Sequence, residues 1–136
     1  MSRIRHVFLL GLIFVFCSGM GSVGGYPDGT IPETDADIHA KVTDRTGVET
    51  SLSRFSMDGN THIVARVGKG EMTIPFEQIS SITFDAVQGD QVRANVKLKS
   101  GSVLDVNVRS RALFYGSTGF GSFKVKARDV SLLSFI

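Results

Sequence analysis

Apolar and polar residues alternate along the chain from Ile38 onward, with Gly, Pro, Asp and Ser residues between the alternating runs. A period of two is that of a β-strand, in which successive side chains point to opposite faces. No stretch keeps a helical period. Short strands separated by turns predict an all-β fold, an antiparallel β-sandwich or barrel-like domain over residues 38–136. The runs that carry this prediction are residues 38–42, 61–67, 71–74, 79–84, 92–98, 103–108, 123–125 and 130–135.

The β pattern occurs twice within the chain. Residues 68–84 match residues 119–135 without a gap, and upstream Ala40, Val42 and Gly47 match Ala94, Val96 and Gly101 at a slightly longer spacing. Alternating sequences can resemble one another by chance, but two matched glycines in one ungapped block favour duplication. We expect two similar halves, about 38–85 and 92–136, that bury their apolar faces against each other. The aligned pairs are Gly68/Gly119, Gly70/Gly121, Met72/Phe123, Ile74/Val125, Ile79/Val130, Ile82/Leu133 and Phe84/Phe135.

One hairpin of the second half has a predictable register. Pairing Val96 with Val106, and Leu98 with Leu104, places apolar residues opposite each other. This register leaves a three-residue loop, residues 100–102, with Gly101 as the left-handed residue. A two-residue loop would mix the polar and apolar faces and is rejected.

The N-terminal segment has the features of a secretory signal peptide, which we assign to residues 1–25. Arg3 and Arg5 precede an unbroken apolar run at residues 7–16, and small residues follow it. Ten apolar residues are too few to cross a bilayer, so an uncleaved membrane anchor is the weaker reading and we expect no stable anchor after processing. Cys17 raises lipidation as a further alternative. The predicted location is the periplasm, the cell surface or an extracellular filament.

Residues 22–37 are rich in Gly, Pro, Asp and Thr and lack an apolar period, which predicts an extended acidic arm over residues 26–37. The chain has 15 Lys and Arg against 13 Asp and Glu, and two of the arginines lie in the predicted leader. The remainder is therefore neutral, which argues against a nucleic-acid partner.

Charge is divided unevenly between the halves. Residues 22–90 hold 5 basic and 11 acidic residues, whereas residues 91–136 hold 8 basic and 2 acidic. One reading is an ordinary solvated sheet surface. The other is docking between oppositely charged faces, which in a head-to-tail arrangement builds a filament. The candidate docking cations are Lys97, Lys99, Arg109, Arg111, Lys124, Lys126 and Arg128.

Residues able to perform catalysis or bind metal are sparse. His39 and His62 lie in predicted strands among apolar neighbours, as ordinary strand residues do. Asp35 and Asp37 supply too few ligands for calcium. The Gly-rich segment 116–121 precedes a strand rather than a helix, so it predicts a turn and not a phosphate loop. We expect no catalytic site, no metal and no cofactor.

Aromatic and apolar residues near the C-terminus are candidates for contact with a partner, although Phe114 serves equally well in the core. The chain ends in an apolar run, residues 132–136, that predicts a final strand available for pairing with another chain. The candidate partner-binding residues are Ile31, Ile38, Phe114, Tyr115, Phe120, Phe135 and Ile136.

The leader, the arm YPDGTIPETDADIHAKV and the β unit ending GSTGFGSFKVKARDVSLLSFI resemble the short, exported β-rich subunit of a split type IV pilin, also described as a short pilin chaperone or C-terminal pilin subunit. The resemblance implies a non-enzymatic subunit that binds a small helical pilin and neighbouring copies in a filament. The chain lacks a prepilin processing site followed by a polymerising helix, so a helical partner would have to supply that element.

Three functions remain open. The first is the structural subunit implied by this resemblance, which would bind the helical pilin through the arm and an apolar strip. The second is an exported β-sandwich module that binds carbohydrate or another cell-surface ligand, although the chain has no Trp and only two Tyr residues for an aromatic platform. The third is a small exported enzyme, which would require polar groups that converge in a cleft.

Overall fold

The computed structural model describes residues 36–136. The predicted signal peptide, arm residues 26–35 and the candidate contact Ile31 lie outside the described residues. Ten strands and two short 3₁₀ turns follow one another: β1 (Ala40–Asp44), β2 (Glu49–Met57), β3 (His62–Val67), β4 (Gly70–Pro75), a first 3₁₀ turn (Phe76–Gln78), β5 (Ile79–Gln88), β6 (Gln91–Leu98), β7 (Val103–Arg109), β8 (Leu113–Ser117), β9 (Ser122–Lys126), a second 3₁₀ turn (Ala127–Asp129) and β10 (Val130–Phe135).

The strands form one antiparallel sheet that curls into a half-barrel. Its order is β4-β3-β7-β6-β5-β10-β1-β2-β8-β9. The prediction of an all-β, barrel-like fold is therefore confirmed. Within residues 36–136, no helix is long and apolar enough to span a membrane.

The two halves have the same arrangement of strands. Each strand of the first half has a counterpart five strands later in the second half, β1 with β6, β2 with β7 and so on. When every strand is exchanged for its counterpart, the sheet order is the same as before but read from the opposite end. Each half places a 3₁₀ turn between its fourth and fifth strands, and the two turns are 51 residues apart. The halves predicted from the sequence repeat thus correspond to the two halves of the fold.

The pairing registers agree with this symmetry residue by residue. Ala40 pairs with Leu52, and the equivalent Ala94 pairs with Val106. At the centre, Ile82 of β5 pairs with Leu133 of β10, and these two residues are themselves equivalent in the repeat. A pseudo-two-fold axis therefore relates the halves and passes through the Ile82–Leu133 pair.

The concave side of the sheet holds the hydrophobic core. Its centre is a cluster of phenylalanine rings, in which Phe55 lies 5.3 Å from Phe76, 5.5 Å from Phe114 and 5.6 Å from Phe135 between ring centroids. Phe76 comes from the first 3₁₀ turn, so this connection from an edge strand to the central strand also fills the core. Aromatic pairs at these separations contribute packing energy beyond their buried area.

The β6–β7 hairpin differs in register from the prediction. Val96 pairs with Leu104 rather than Val106, and the three-residue loop is residues 99–101 rather than 100–102. Gly101 has φ 97°, as predicted for a left-handed residue. The error was to put glycine in the middle of the loop, because the left-handed residue of a three-residue loop is the last one, after a type I turn. Both registers keep the same residues on the buried face.

Two strands, β2 and β8, are absent from the predicted set. In β2 the pairing with β8 shifts between Ser53 and Ser56, and Arg54 has φ 49°. This bulge interrupts the alternation from which strands are recognised. β8 reads LFYGS, with three consecutive apolar residues and a glycine, and so gives no period-two signal.

Candidate functional site

Strand β3 of the first half lies beside β7 of the second, β2 lies beside β8 at the equivalent place, and we call each of these two strand contacts a joint. A cleft of about 530 Å³ opens beside the β3–β7 joint. Val64 and Arg66 of β3 face this side because they alternate with the buried Ile63 and Ala65. A smaller depression of about 270 Å³ adjoins the cleft, and Asn107 lines both. The residues around the cleft are Met57, Asp58, Asn60, Val64, Arg66, Glu71, Asp90, Gln91, Asn107 and Arg109.

The cleft lies where β3 and β7 meet, and within residues 36–136 these two strands pair at a single position, Arg66 with Asn107. Asp58 and Asn60 of the β2–β3 turn line the cleft beside this pair. In this turn Met57 and Asn60 exchange two backbone hydrogen bonds of 2.9 Å. Asp58 and Gly59 have φ values of 51° and 87°. Two successive left-handed residues are typical of a type I′ turn, for which Asp-Gly is a preferred pair.

Asp58 fastens this turn to the second half of the chain. Its Oδ2 accepts a 3.0 Å hydrogen bond from the Arg109 guanidinium, and its Oδ1 accepts one of 3.2 Å from the Leu113 backbone N–H. The Asp58 N–H donates in turn to the Leu113 carbonyl at 2.8 Å. Arg109, predicted as a docking cation, is therefore already paired with a carboxylate of its own chain.

The other polar side chains of the cleft have free hydrogen-bonding capacity. Within residues 36–136, no hydrogen bond or ion pair involves the side chains of Arg66, Glu71, Gln91 or Asn107. Guanidinium groups donate, carboxylates accept, and carboxamides do both. The cleft therefore presents donors and acceptors side by side to whatever enters it.

The predicted partner-binding residues have very different environments. Phe120, at the tip of the β8–β9 turn, is 95% exposed, and Ile136 is 84% exposed. Tyr115 is half-buried, and Ile38 and Phe135 pack against the core. Phe114 is fully buried between Phe55 and Phe84, so its selection as a contact residue is corrected: it fills the core and cannot reach a partner without disrupting the core.

The predicted docking cations divide into separate groups. Lys124 and Lys126 are exposed on β9, and Lys126 pairs with Leu113. Arg111 and Arg128 lie close to them, because the Arg128 N–H donates to the Ser110 carbonyl at 3.1 Å. Lys97 and Lys99 belong to the β6–β7 hairpin instead, and Arg109 belongs to the cleft.

Within residues 36–136, the sheet ends in two edge strands of different charge. β9, at one end, carries Lys124 and Lys126 and leads into Arg128. β4, at the other end, carries Glu71 and leads into Glu77. The strands number ten and alternate in direction, so β9 of one copy and β4 of the next would meet antiparallel if the sheet continued from copy to copy.

Other predicted features have simple structural roles. The exposed His39 contacts Asp37 at 3.1 Å, and neither His39 nor His62 lines the cleft. Among residues 36–136, no three His, Cys, Asp or Glu side chains are grouped as metal ligands would be, and Asp35 lies outside the described residues. Gly119 has φ 96° in a turn closed by the Thr118 N–H and the Gly121 carbonyl at 2.9 Å. The Gly-rich segment is thus a turn, as predicted.

Sequence reasoning missed the cleft. Its residues Arg66 and Asn107 occupy ordinary outward positions of alternating strands, where polar side chains are the norm. A signal was nevertheless available in the repeat. Arg66 and Asn107 align with Ser117 and Ser53, and the spacing between the halves changes from 54 to 51 residues at the β2–β3 turn.

Comparison with known proteins gives a match over the whole β domain. A family model described as "Uncharacterised protein" matches residues 34–136. The chain is also similar to an "Uncharacterized protein" of Aquifex aeolicus (strain VF5), with 25% identity over 131 residues, which cover 96% of each chain. Because the family model spans well over half of the sequence, the chain belongs to this family.

Proposed function

We propose that this protein is a non-enzymatic structural subunit that joins other protein chains through the free ends of its sheet. The observation that carries the proposal is the difference in charge between the two edge strands. Among the described residues β9 has a neighbouring strand on one side only, and it offers Lys124 and Lys126, whereas the other edge strand, β4, offers Glu71 and is followed by Glu77. Unpaired edges accept further strands, and opposite charges favour one orientation over others.

The position of Phe120 also supports a contact with another chain at the β9 edge. Its ring is almost wholly exposed at the turn that leads into β9, and an exposed aromatic side chain at the end of an edge strand suits contact with another chain. A contact from β9 of one copy to β4 of the next is head-to-tail, and head-to-tail contacts build open filaments unless the rotation closes a ring. This arrangement fits the filament subunit that the split-pilin resemblance implies. The small helical pilin remains its predicted partner.

The test is charge reversal on β9 in the full chain. We expect the wild-type protein to associate with rising concentration in sedimentation velocity, and salt to weaken the association. Lys124→Glu/Lys126→Glu should weaken it about tenfold, since two favourable charge contacts become repulsive. The matched control is Lys97→Glu/Lys99→Glu, which makes the same charge change on the β6–β7 hairpin and should leave association unchanged.

Two results would count against the proposal. A protein that stays monomeric at every concentration, and does not co-purify with a co-expressed small helical pilin, is not a subunit of this kind. Equal loss of association in both double variants would assign the effect to net charge, and the β9 edge would lose its role.

A further inference from the structure

The duplication gives the cleft an internal control. Arg66 and Asn107 form the cross-strand pair that joins the halves on one side, and Ser117 and Ser53 form the equivalent pair on the other. Glu71 likewise corresponds to Ser122 in the repeat. Small serines are thus sufficient for the fold at this joint, so the fold does not require the large polar residues of the cleft.

The backbone differs at the same place. The spacing between equivalent residues of the repeat falls from 54 to 51 between β2 and β3, so the first half has three more residues here than the second, and its β2–β3 turn places Asp58 and Asn60 on the cleft. On the other side of the molecule, β2 and β8 stay paired as far as Met57 and Phe114. Both the added residues and the opened joint therefore surround one cleft, which is the pattern expected of a binding site acquired after duplication.

The charges of the cleft limit the class of ligand. Two arginines, Arg66 and Arg109, face three carboxylates, those of Asp58, Glu71 and Asp90, so the formal sum is 2 − 3 = −1. A phosphate or another compact anion is disfavoured by this sum, and an apolar molecule is disfavoured by so many polar groups.

The side-chain amides of the cleft add uncharged hydrogen-bond donors and acceptors to its charged groups. Asn60, Gln91 and Asn107 each offer a donor and an acceptor, next to the guanidinium of Arg66 and the carboxylates. A hydroxyl group both donates and accepts, so a polyhydroxylated molecule satisfies such a surface without a net charge. The adjoining depression, which shares Asn107 and adds Arg93 and Asp105, lengthens the surface beyond one sugar ring. We infer that the cleft binds a short, uncharged oligosaccharide.

The test uses the full, ¹⁵N-labelled chain and a panel of trisaccharides. The neutral probes are N-acetylchitotriose, cellotriose and maltotriose, and the charged comparators are inorganic phosphate and the cationic chitotriose. We expect a neutral probe to shift the side-chain amide signals of Asn60, Gln91 and Asn107 saturably. Asn107→Ser should weaken binding about tenfold, because it installs the residue found at the equivalent joint and removes hydrogen bonds to the ligand.

Two controls keep the inference separate from the proposed assembly. Ser53→Asn makes the reverse change at the other joint and should leave affinity unchanged. Lys124→Glu/Lys126→Glu, which is designed to disrupt assembly, should also bind the saccharide as before. Absence of a saturable shift with every neutral trisaccharide, or equal affinity in Asn107→Ser, would overturn the inference, and binding of only phosphate or chitotriose would overturn the uncharged class.

Discussion

The two joints between the halves are equivalent in topology and different in packing. Where β8 meets β2, Gly116 lies against Leu52, so close that a Cβ on Gly116 would be 2.7 Å from the Leu52 Cβ. Where β3 meets β7, the equivalent residues are Ala65 and Val106, both buried. A smaller residue beside a larger one closes the first joint tightly, whereas the second joint has a single register pair among the described residues.

This difference shows how a duplicated fold divides its roles. The β2–β8 joint is lined on its outer side by Ser53 and Ser117 and remains paired over several residues. The β3–β7 joint presents Arg66 and Asn107 and opens into the cleft. One copy of the joint therefore holds the half-barrel together, and the other is released from that constraint and carries polar residues to the surface.

Gly116→Ala gives the largest expected effect, because it attacks the tight joint. The new methyl group would overlap Leu52 at its Cβ, an atom that no rotamer change can move, so β8 must shift away from β2. We expect a loss of about 2–3 kcal/mol in the free energy of unfolding, the upper part of the usual range for overpacking a core. Urea unfolding of the full chain measures it.

Gly121→Ala is the matched control in the same hairpin. A Cβ there meets only the Thr118 Oγ1, at 3.8 Å, which is an ordinary van der Waals distance. This substitution should change stability by less than about 0.5 kcal/mol. Equal effects from the two variants would mean that the joint at Gly116 is no tighter than an exposed edge, and the contrast between the joints would fail.

The next difference between the halves is the hydrogen bonding of two buried serines, Ser56 and Ser110. They occupy equivalent positions, and both are buried. The Ser110 hydroxyl donates to the Gly89 carbonyl at 3.4 Å, whereas the Ser56 hydroxyl has no partner among the described residues. Ser110→Ala should lower the free energy of unfolding by about 0.5–1 kcal/mol. Ser56→Ala should leave it unchanged or raise it, since an unsatisfied buried hydroxyl is costly.

The same denaturation experiment compares both serine variants. The sign of the Ser56→Ala effect is the decisive observation, because a loss of stability as large as that of Ser110→Ala would show that the Ser56 hydroxyl is hydrogen-bonded in solution. The two joints would then be equally satisfied at this position, and the comparison would rest on packing alone.

Most of the fold could be predicted because it depends on patterns that repeat along the chain. Alternation located most strands, and the matched glycines at 68/119 and 70/121 located the halves. The β6–β7 register was misjudged because apolar residues face each other in both registers, so only the turn geometry at Gly101 distinguishes them. The cleft could not be predicted from alternation, because Arg66 and Asn107 are far apart in the sequence and become neighbours only through the pairing of β3 with β7.

The two halves also differ in the turn of their first hairpin, which is the β1–β2 turn in one half and the β6–β7 turn in the other. In the β1–β2 turn, the Asp44 carboxylate accepts from the Thr46 N–H at 2.8 Å, the Thr46 hydroxyl at 2.6 Å and the Val48 N–H at 3.0 Å. In the equivalent β6–β7 turn, the side-chain hydrogen bond is uncharged and long, from the Ser102 N–H to the Ser100 Oγ at 3.4 Å. The hydrogen bond from the Thr46 hydroxyl, followed by that from the Val48 N–H, lowers the pKa of Asp44 below its ordinary value of 3.8.

This difference predicts the smallest effect, a dependence on pH that belongs to one turn only. A carboxyl whose pKa is lower in the folded chain stabilises it above the unfolded pKa, and the contribution is lost as pH falls through the folded pKa. Stability should therefore decline less steeply below about pH 4 in Asp44→Asn than in the wild type, because the variant has no charge to lose. Ser100→Ala, in the equivalent turn, should follow the wild-type pH profile. Urea unfolding midpoints between about pH 5 and pH 2.5 measure the slopes, and parallel curves for Asp44→Asn and the wild type would show that the carboxylate does not hold the turn.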